Sequence, residues 1–202
     1  TEKPPRAVVK TFFCMQIHPR GYRGFRVEKT RGEEVKTLCP PDVAVCKDCL
    51  DELFNPRDRR HLYPFINCIN CGPRFTILEK LPYDRVNTSM KPFKMCGDCE
   101  KEYSDPSDRR FKAEPNACSR CGPRARLYRR GRLMRVEKPV SEAARLINRG
   151  YIVAVKGYGG FHLACDATSR SSVTELRRRK KRGNKPFAIM VKSVEEAGRI
   201  VE

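Results

Sequence analysis

Eight of the chain's eleven cysteines fall in four CxxC pairs: Cys46/Cys49, Cys68/Cys71, Cys96/Cys99 and Cys118/Cys121. Each half of this set reads C-x2-C-x18-C-x2-C, and a shift of fifty positions lays the first half on the second. The shift also carries Asp48 onto Asp98, Pro56 onto Pro106, Asp58-Arg59-Arg60 onto Asp108-Arg109-Arg110, and Gly72-Pro73-Arg74 onto Gly122-Pro123-Arg124. An internal duplication of this kind means one structural unit written twice. A CxxC turn aims two thiolates at one point, and two such turns complete the tetrahedral shell that zinc requires. The x18 insertion is long enough to fold back, through turn-forming Asn55-Pro56 and Asp105-Pro106. Gly72 and Gly122 follow the second pair of each repeat, where a tight knuckle with positive φ is expected.

Disulfides are the competing use of such pairs. No signal-peptide pattern opens the sequence, and no apolar run approaches the ~20 residues of a membrane span. Cytoplasmic thiols are expected, and CxxC pairs there read as metal ligands. Four thiolates leave no open coordination position, so two structural zinc ions are expected, not catalytic ones. Two ligand pairings are compatible with the spacing: one zinc per repeat, which we favour, or pairs interleaved between repeats. His61 has Phe111 as its counterpart, so it is expected at the surface or in packing; Cys14, Cys39 and Cys165 read as ordinary thiols.

Composition agrees with a stapled fold. Tryptophan is absent and aromatic residues make up 8% of 202 residues. Several small cores are expected, at least one needing a non-apolar staple. The formal net charge is +19, unevenly spread. Residues 39–124 hold 15 basic against 13 acidic residues, whereas residues 125–202 hold 19 against 7. A nucleic-acid reader would put its basic and aromatic residues on the finger, so the distribution argues for a local phosphate site in the last third.

That last third alternates helix and strand signals. Ser141 caps an expected helix over Glu142–Asn148, ended by Gly150, and Tyr151–Lys156 reads as a strand followed by the loop Gly157-Tyr158-Gly159-Gly160. Ser172 and Glu175 fit a capping box, Phe187–Val191 reads as a second strand, and Ser193 with Glu196 fits a third helix start. Between the second helix and second strand, Arg177 to Lys185 carries seven basic residues in nine positions. The dipole of a helix end accounts for two or three of them; a phosphate-binding cluster accounts for the set. The glycine loop matches neither the P-loop nor the dinucleotide fingerprint and reads equally well as a tight turn.

The segments PPDVAVCKDC, NCINCGPRFTI, KMCGDCEKEYSDP, NACSRCGPR, VAVKGYGGFHLACDAT and KRGNKPFAIMV span residues 40–192. Together they resemble the NiFe-hydrogenase maturation carbamoyltransferases, the HypF family. The resemblance implies an α+β multidomain chain in three parts. Residues 1–38 would be the C-terminal part of an acylphosphatase-like domain, whose last strands are PPRAVV and GYRGFRVEKT. Residues 39–128 would be the double zinc-finger module, with repeats 46–74 and 96–124. Residues 135–202 would be the N-terminal part of an α/β YrdC-like domain, so that the chain is a central piece of a longer protein. The family's anion loop and catalytic Asn are not found, so no acylphosphatase chemistry is carried over and no catalytic residue is assigned.

The family reaction uses carbamoyl phosphate and ATP, with Mg2+, to make carbamoyl-adenylate, and passes the carbamoyl group to the C-terminal Cys of its partner HypE. The family's K-x-R…K-P motif maps onto Lys180, Arg182 and Lys185. Lys156, Gly159, Gly160 and His162 are further candidates for an anionic ligand. A packed core histidine is the slightly favoured reading of His162. The alternative function is a zinc-containing RNA- or tRNA-binding module.

Overall fold

The structure, a computed structural model, describes residues 9–19, 21, 23–24, 38–157 and 159–200. The chain divides into two compact units, Thr1–Pro123 and Arg124–Glu202. The two strands expected within residues 1–38 lie almost wholly outside the described residues, and the described stretch 9–19 carries neither helix nor strand.

In the first unit each repeat opens a helix on its first cysteine. Helix α1 covers Lys47–Phe54 with Cys46 as N-cap, and α2 covers Gly97–Ser104 with Cys96 as N-cap. The cap residues are extended (φ −81° and −77°), which sets both cysteines of each pair on one side of the first helical turn. Both helices stop at the predicted turn. Asn55 and Asp105 accept from the backbone N–H two residues on, at Arg57 (3.0 Å) and Ser107 (2.9 Å), and so replace the next helical turn by a side-chain turn. Asp58 and Asp108 repeat the device on the N–H of Arg60 and Arg110, both at 2.7 Å. Leu62 and Lys112 then take positive φ (55° and 53°) at equivalent places. The duplication is therefore one of backbone conformation, not merely of spacing.

The second CxxC pair returns as a knuckle. Val43 and Gly72 exchange backbone hydrogen bonds of 3.0 and 2.9 Å, and Asp42 accepts from the N–H groups of Arg74 (2.6 Å) and Thr76 (3.2 Å). Gly72 has φ +101°, and a Cβ there would lie 2.6 Å from that of Asn67. Gly122 departs from expectation, since its φ is not positive. Glycine is required there by crowding, because a Cβ would lie 2.2 Å from the Tyr63 hydroxyl and 2.5 Å from Ala117. The apolar core of this unit is small: Tyr63, Ile66, Ile77, Met90 and Ala117 pack with Cys49, Cys68 and Cys71. Between the repeats, Arg85 acts as a strut, donating to the carbonyls of Glu114 (2.5 Å), Asn116 (2.9 Å) and Phe93 (2.7 Å).

The second unit contains the hairpin β1 (Tyr128–Arg129) and β2 (Arg132–Leu133), then α3 (Pro139–Asn148), the antiparallel hairpin β3 (Val153–Lys156) and β4 (Phe161–Ala164), α4 (Arg170–Arg179) and α5 (Val194–Gly198). Helix α3 starts earlier than Ser141 predicts because Pro139, with its fixed φ, occupies the first turn. It ends as predicted. Gly150 (φ +85°) donates to Ile147 and Tyr151 donates to Leu146, a Schellman closure. The cap of α4 is Ser169, which accepts from Ser172 N–H, and not Ser172 itself. Ser193 caps α5 as expected. Strand β4 has no counterpart in the sequence reading, and Phe187–Val191 forms no strand because nothing among the described residues pairs with it.

The two knuckle glycines give a direct test. Gly72→Ala and Gly122→Ala are each expected to lose about 1–3 kcal/mol of stability, one through strain and overlap and the other through overlap alone. Thermal unfolding of the zinc-loaded chain measures both, and an unchanged Gly122→Ala midpoint contradicts the packing described here.

Candidate metal centres and a basic loop

The eight paired cysteines gather as two sets of four, one set per repeat, and within each set the sulfurs lie within 4.8 Å of one another. In the first set Cys46–Cys68, Cys68–Cys71 and Cys71–Cys49 stand 3.7, 3.8 and 3.5 Å apart. In the second set Cys96–Cys118, Cys118–Cys121 and Cys121–Cys99 stand 3.7, 3.8 and 3.6 Å apart. A tetrahedron with Zn–S bonds of about 2.3 Å has edges of about 3.8 Å, whereas a disulfide brings its sulfurs to about 2 Å. All these cysteines are free thiols. The donor set therefore fits one zinc ion per repeat, and the interleaved pairing is not what the geometry offers. Zinc bound in these cages would supply folding energy and, with every position filled by sulfur, no open site for substrate.

A divalent ion inside four thiolates leaves an excess of two negative charges, and burial makes that excess costly. The neutralising groups come from the opposite repeat. Arg59 points both terminal nitrogens at Cys99 Sγ (3.4 Å each), and Arg60 adds a contact at 3.6 Å. In return Arg109 donates to Cys49 Sγ (3.1 Å) and approaches Cys46 Sγ (3.9 Å). The arrangement is reciprocal down to the carboxylates. Arg60 forks onto Glu102 at 3.0 and 2.6 Å and donates through Nε to the Ala117 carbonyl (3.0 Å). Arg110 forks onto Glu52 and donates through Nε to the Asn67 carbonyl (3.1 Å). Arg60 is only 2% exposed, so its charge is held entirely by these partners. Asn116, fully buried, ties the set to the helix by accepting from Arg60 (2.9 Å) and donating to the Cys99 carbonyl (3.0 Å).

Burial works to raise the Glu102 carboxyl, but the Arg60 and Arg59 hydrogen bonds overrule it and hold the group down to about 2. Glu52 is lowered by the same balance of burial against Arg110 and Arg109. The stabilisation from Glu102 is therefore complete above the ordinary carboxylate pKa and is lost as pH falls toward about 2.

In the second unit the predicted ligand residues fall at two places. Lys156 ends β3 and faces Phe161 across the hairpin, with its ammonium 5.3 Å from the ring centre. Gly157 N–H donates to the Gly160 carbonyl (2.8 Å), which closes the turn. His162 is exposed on β4, opposite Val155, and so is not the packed core histidine that the sequence favoured. A two-stranded hairpin buries neither face fully, which is why an apolar neighbourhood in sequence did not become a core. Gly159 lies exposed beside it. Lys180, Arg182 and Lys185 share the loop after α4. Lys180 and Lys185 are exposed, while Arg182 is half-buried, 5.5 Å from the Phe187 ring centre and donating to the Pro186 carbonyl (3.1 Å).

Two family models match the chain. The model described as the HypF finger matches residues 45–78 and 95–128, and the model described as telomere recombination, of the Sua5/YciO/YrdC group, matches residues 145–202. Carbamoyltransferase HypF2 of Cupriavidus necator is 55% identical over 177 residues, 86% of this chain and 22% of its own. Carbamoyltransferase HypF of Synechocystis sp. is 48% identical over 201 residues, 98% of this chain and 26% of its own. The chain belongs to the HypF family. It spans about a quarter of the length of the curated relatives it matches. The crystal structure of T. kodakarensis HypF matches with a TM-score of 0.80 at 54% identity, over 84% of this chain and 22% of that one. A full-length HypF in the phosphate- and nucleotide-bound form matches with a TM-score of 0.74 at 52% identity, over 79% of this chain and 21% of that one.

The spacing picks out the eight sulfurs that the structure gathers into two groups, but not what surrounds them. The Asp-Arg-Arg triplets were visible as a repeat, and Glu52 and Glu102 also stand fifty positions apart, but nothing in the spacing says that each triplet serves the other repeat. In the sequence Arg177 is one charge in a run. It instead organises the basic loop, donating to the carbonyls of Arg182 (3.0 Å), Gly183 (2.5 Å) and Lys185 (2.9 Å) and stacking on Phe187 at 4.8 Å.

Glu102→Gln is expected to destabilise the chain by about 3 kcal/mol or more at neutral pH, because it leaves a buried guanidinium without its counter-charge. Chemical denaturation with zinc present reads the loss, and a change under about 1 kcal/mol would show that the fork is dispensable.

Proposed function

We propose that this chain is the metal-stapled and nucleotide-binding portion of a carbamoyltransferase. In that reading Cys46, Cys49, Cys68 and Cys71 hold one structural zinc ion, and Cys96, Cys99, Cys118 and Cys121 hold a second. Residues from 135 onward form part of the YrdC-like domain, where carbamoyl phosphate and ATP, with Mg2+, give carbamoyl-adenylate. The carbamoyl group then passes to the C-terminal Cys of HypE for cyanide-ligand synthesis in hydrogenase maturation. The observation that carries the reading is about 50% identity to carbamoyltransferases across nearly the whole chain, with a relative solved in a phosphate- and nucleotide-bound form.

The basic loop supports it chemically. ATP and carbamoyl phosphate repel each other, and a site that joins them needs cations to offset that repulsion and to take up charge on the transferring oxygens. Lys180 and Lys185 stand free in solvent for this task, on a backbone that Arg177 has shaped. Arg182 contributes charge from a fixed position on Phe187. Lys156 and His162 lie next to the turn of the β3–β4 hairpin, where the exposed Gly159 and half-buried Gly160 give a second anion room to approach.

The zinc module does not favour the nucleic-acid reading. Its Arg59, Arg60, Arg109 and Arg110 are committed to carboxylates and sulfurs. Isothermal titration of the whole zinc-loaded chain tests the assignment. ATP and carbamoyl phosphate are expected to bind, and Lys180→Ala with Lys185→Ala to weaken ATP at least tenfold. Binding of neither ligand overturns the site. Tight RNA binding with a steep salt dependence overturns it in favour of the other class.

A further inference from the structure

We propose that the two zinc cages load in a crossed and mutually dependent way: the loop that one repeat's metal closes supplies the arginines that hold the other repeat's thiolates. The inference rests on each four-sulfur group holding zinc. Arg59 and Arg60 lie in the segment between Cys49 and Cys68, whose two ends the first cage joins. Their donors are delivered to Cys99 and Glu102, in the second cage and on the helix that opens it. Arg109 and Arg110 lie in the matching segment of the second repeat and deliver to Cys49 and Glu52. The backbone joins the exchange, since Ile69 N–H, beside the first knuckle, donates to the Arg109 carbonyl (3.0 Å).

The energetic consequence follows from who completes whose charge. An ordinary metal site carries its supporting donors on its own scaffold, and losing one weakens that site. Here the scaffold and the donors are separated. Opening the first cage frees the 50–67 loop, withdraws two positive charges from the second cage, and loosens thiolates that themselves never touched the lost metal. The reverse holds for the second cage. Binding at one site therefore raises affinity at the other through a physically contiguous element, which is the requirement for coupling. An open cleft of about 630 Å3 between the two Arg-Arg loops leaves Arg59 and Arg109 partly wetted, so these two residues can be changed with less damage to packing than the buried Arg60 and Arg110.

The test is site-resolved. The whole zinc-loaded chain is counted for zinc by native mass spectrometry, challenged with a strong chelator, and sampled over time with a thiol-alkylating reagent. Peptide mapping then says which cage opens first. Arg59→Gln is expected to speed alkylation of Cys96, Cys99, Cys118 and Cys121 about tenfold or more, ahead of its own repeat. Arg109→Gln is expected to do the same for Cys46, Cys49, Cys68 and Cys71. Arg59→Lys and Arg109→Lys, which keep the charge but lose the fork, give the same crossed order at smaller amplitude and serve if a glutamine variant does not fold. Fewer than two zincs in the unaltered chain overturns the metal reading itself. Two zincs with each variant opening its own cage first, both cages equally, or neither, overturns the crossed support alone.

Discussion

The structure of the first unit depends on a guanidinium reaching a thiolate of the other repeat. Zinc alone satisfies the geometry of four sulfurs but leaves them with excess negative charge in a place where water is scarce. Arg59 and Arg109, each on a sulfur of the opposite cage, answer that excess with charge-assisted hydrogen bonds at 3.4 and 3.1 Å. Because the chain is duplicated, the answer is self-complementary: whatever one repeat gives, the other gives back. The result resembles an isologous dimer interface folded into one polypeptide. It also explains why Glu52 and Glu102 sit beside the arginines. Two cations against one cage need an anion to hold their forks in plane, and a carboxylate on the first helix of the opposite repeat is the nearest group that can.

This arrangement takes the place of an oily interior. The buried set of the first unit is dominated by sulfur and by polar groups with named partners: Cys49, Cys68, Cys71 and Cys99 beside Arg60, Arg110, Asn116 and Thr88. Such a core is unforgiving. Trimming a methyl group from an apolar core weakens it by degrees, whereas a buried guanidinium without its carboxylate is an unpaired charge. It is also highly specific. Leu, Ile and Val can often exchange within a core of the same volume, but no other side chain reproduces the Arg60 pattern of one Nε bond to a carbonyl and two to a carboxylate.

Much of this was legible in the residues because it is local. The C-x2-C-x18-C-x2-C spacing marks the eight sulfur donors and which two share each turn, and Asn55 and Asp105 announce their turns because a side-chain oxygen can reach an N–H only two residues away. Gly150 and Ser193 end and start helices for equally local reasons. The start of α3 and the cap of α4 were misplaced by only two or three residues, whereas the larger failures are non-local. Gly122 was expected to serve a positive φ, yet it is needed because Tyr63, nearly sixty residues earlier, passes within 2.2 Å of where a Cβ would stand. The destination of each arginine is a contact across about forty to sixty residues that no periodicity encodes. Phe187–Val191 has the composition of a strand, but a strand exists only when something pairs with it, and sequence composition is blind to the partner.

The basic loop of the second unit shows the same division between what a residue is and what it does. Helix α4 ends in a Schellman closure in which Arg182 N–H donates to the Arg177 carbonyl and Lys181 N–H to that of Arg178. Glycine is the usual occupant of the left-handed position in that closure, yet Lys181 holds it at φ +47°. A β-carbon there is strained, and the strain is sustained because Arg177 grips three carbonyls of the loop while Phe187 is flanked by the Arg177 and Arg182 guanidiniums. Seven like charges in nine positions would otherwise push the segment apart. Pairing Arg178 and Arg179 with Glu175 and committing Arg177 and Arg182 inward, to carbonyls and an aromatic face, converts a repelling run into a defined turn, and that turn leaves Lys180 and Lys185 facing water. A flexible tail with the same composition would carry the same charge but would lose conformational entropy at each encounter with an anion. The arginines of this loop thus do for its lysines what the finger arginines do for the cysteines: they are structural cations, and they fix where the remaining reactive groups stand.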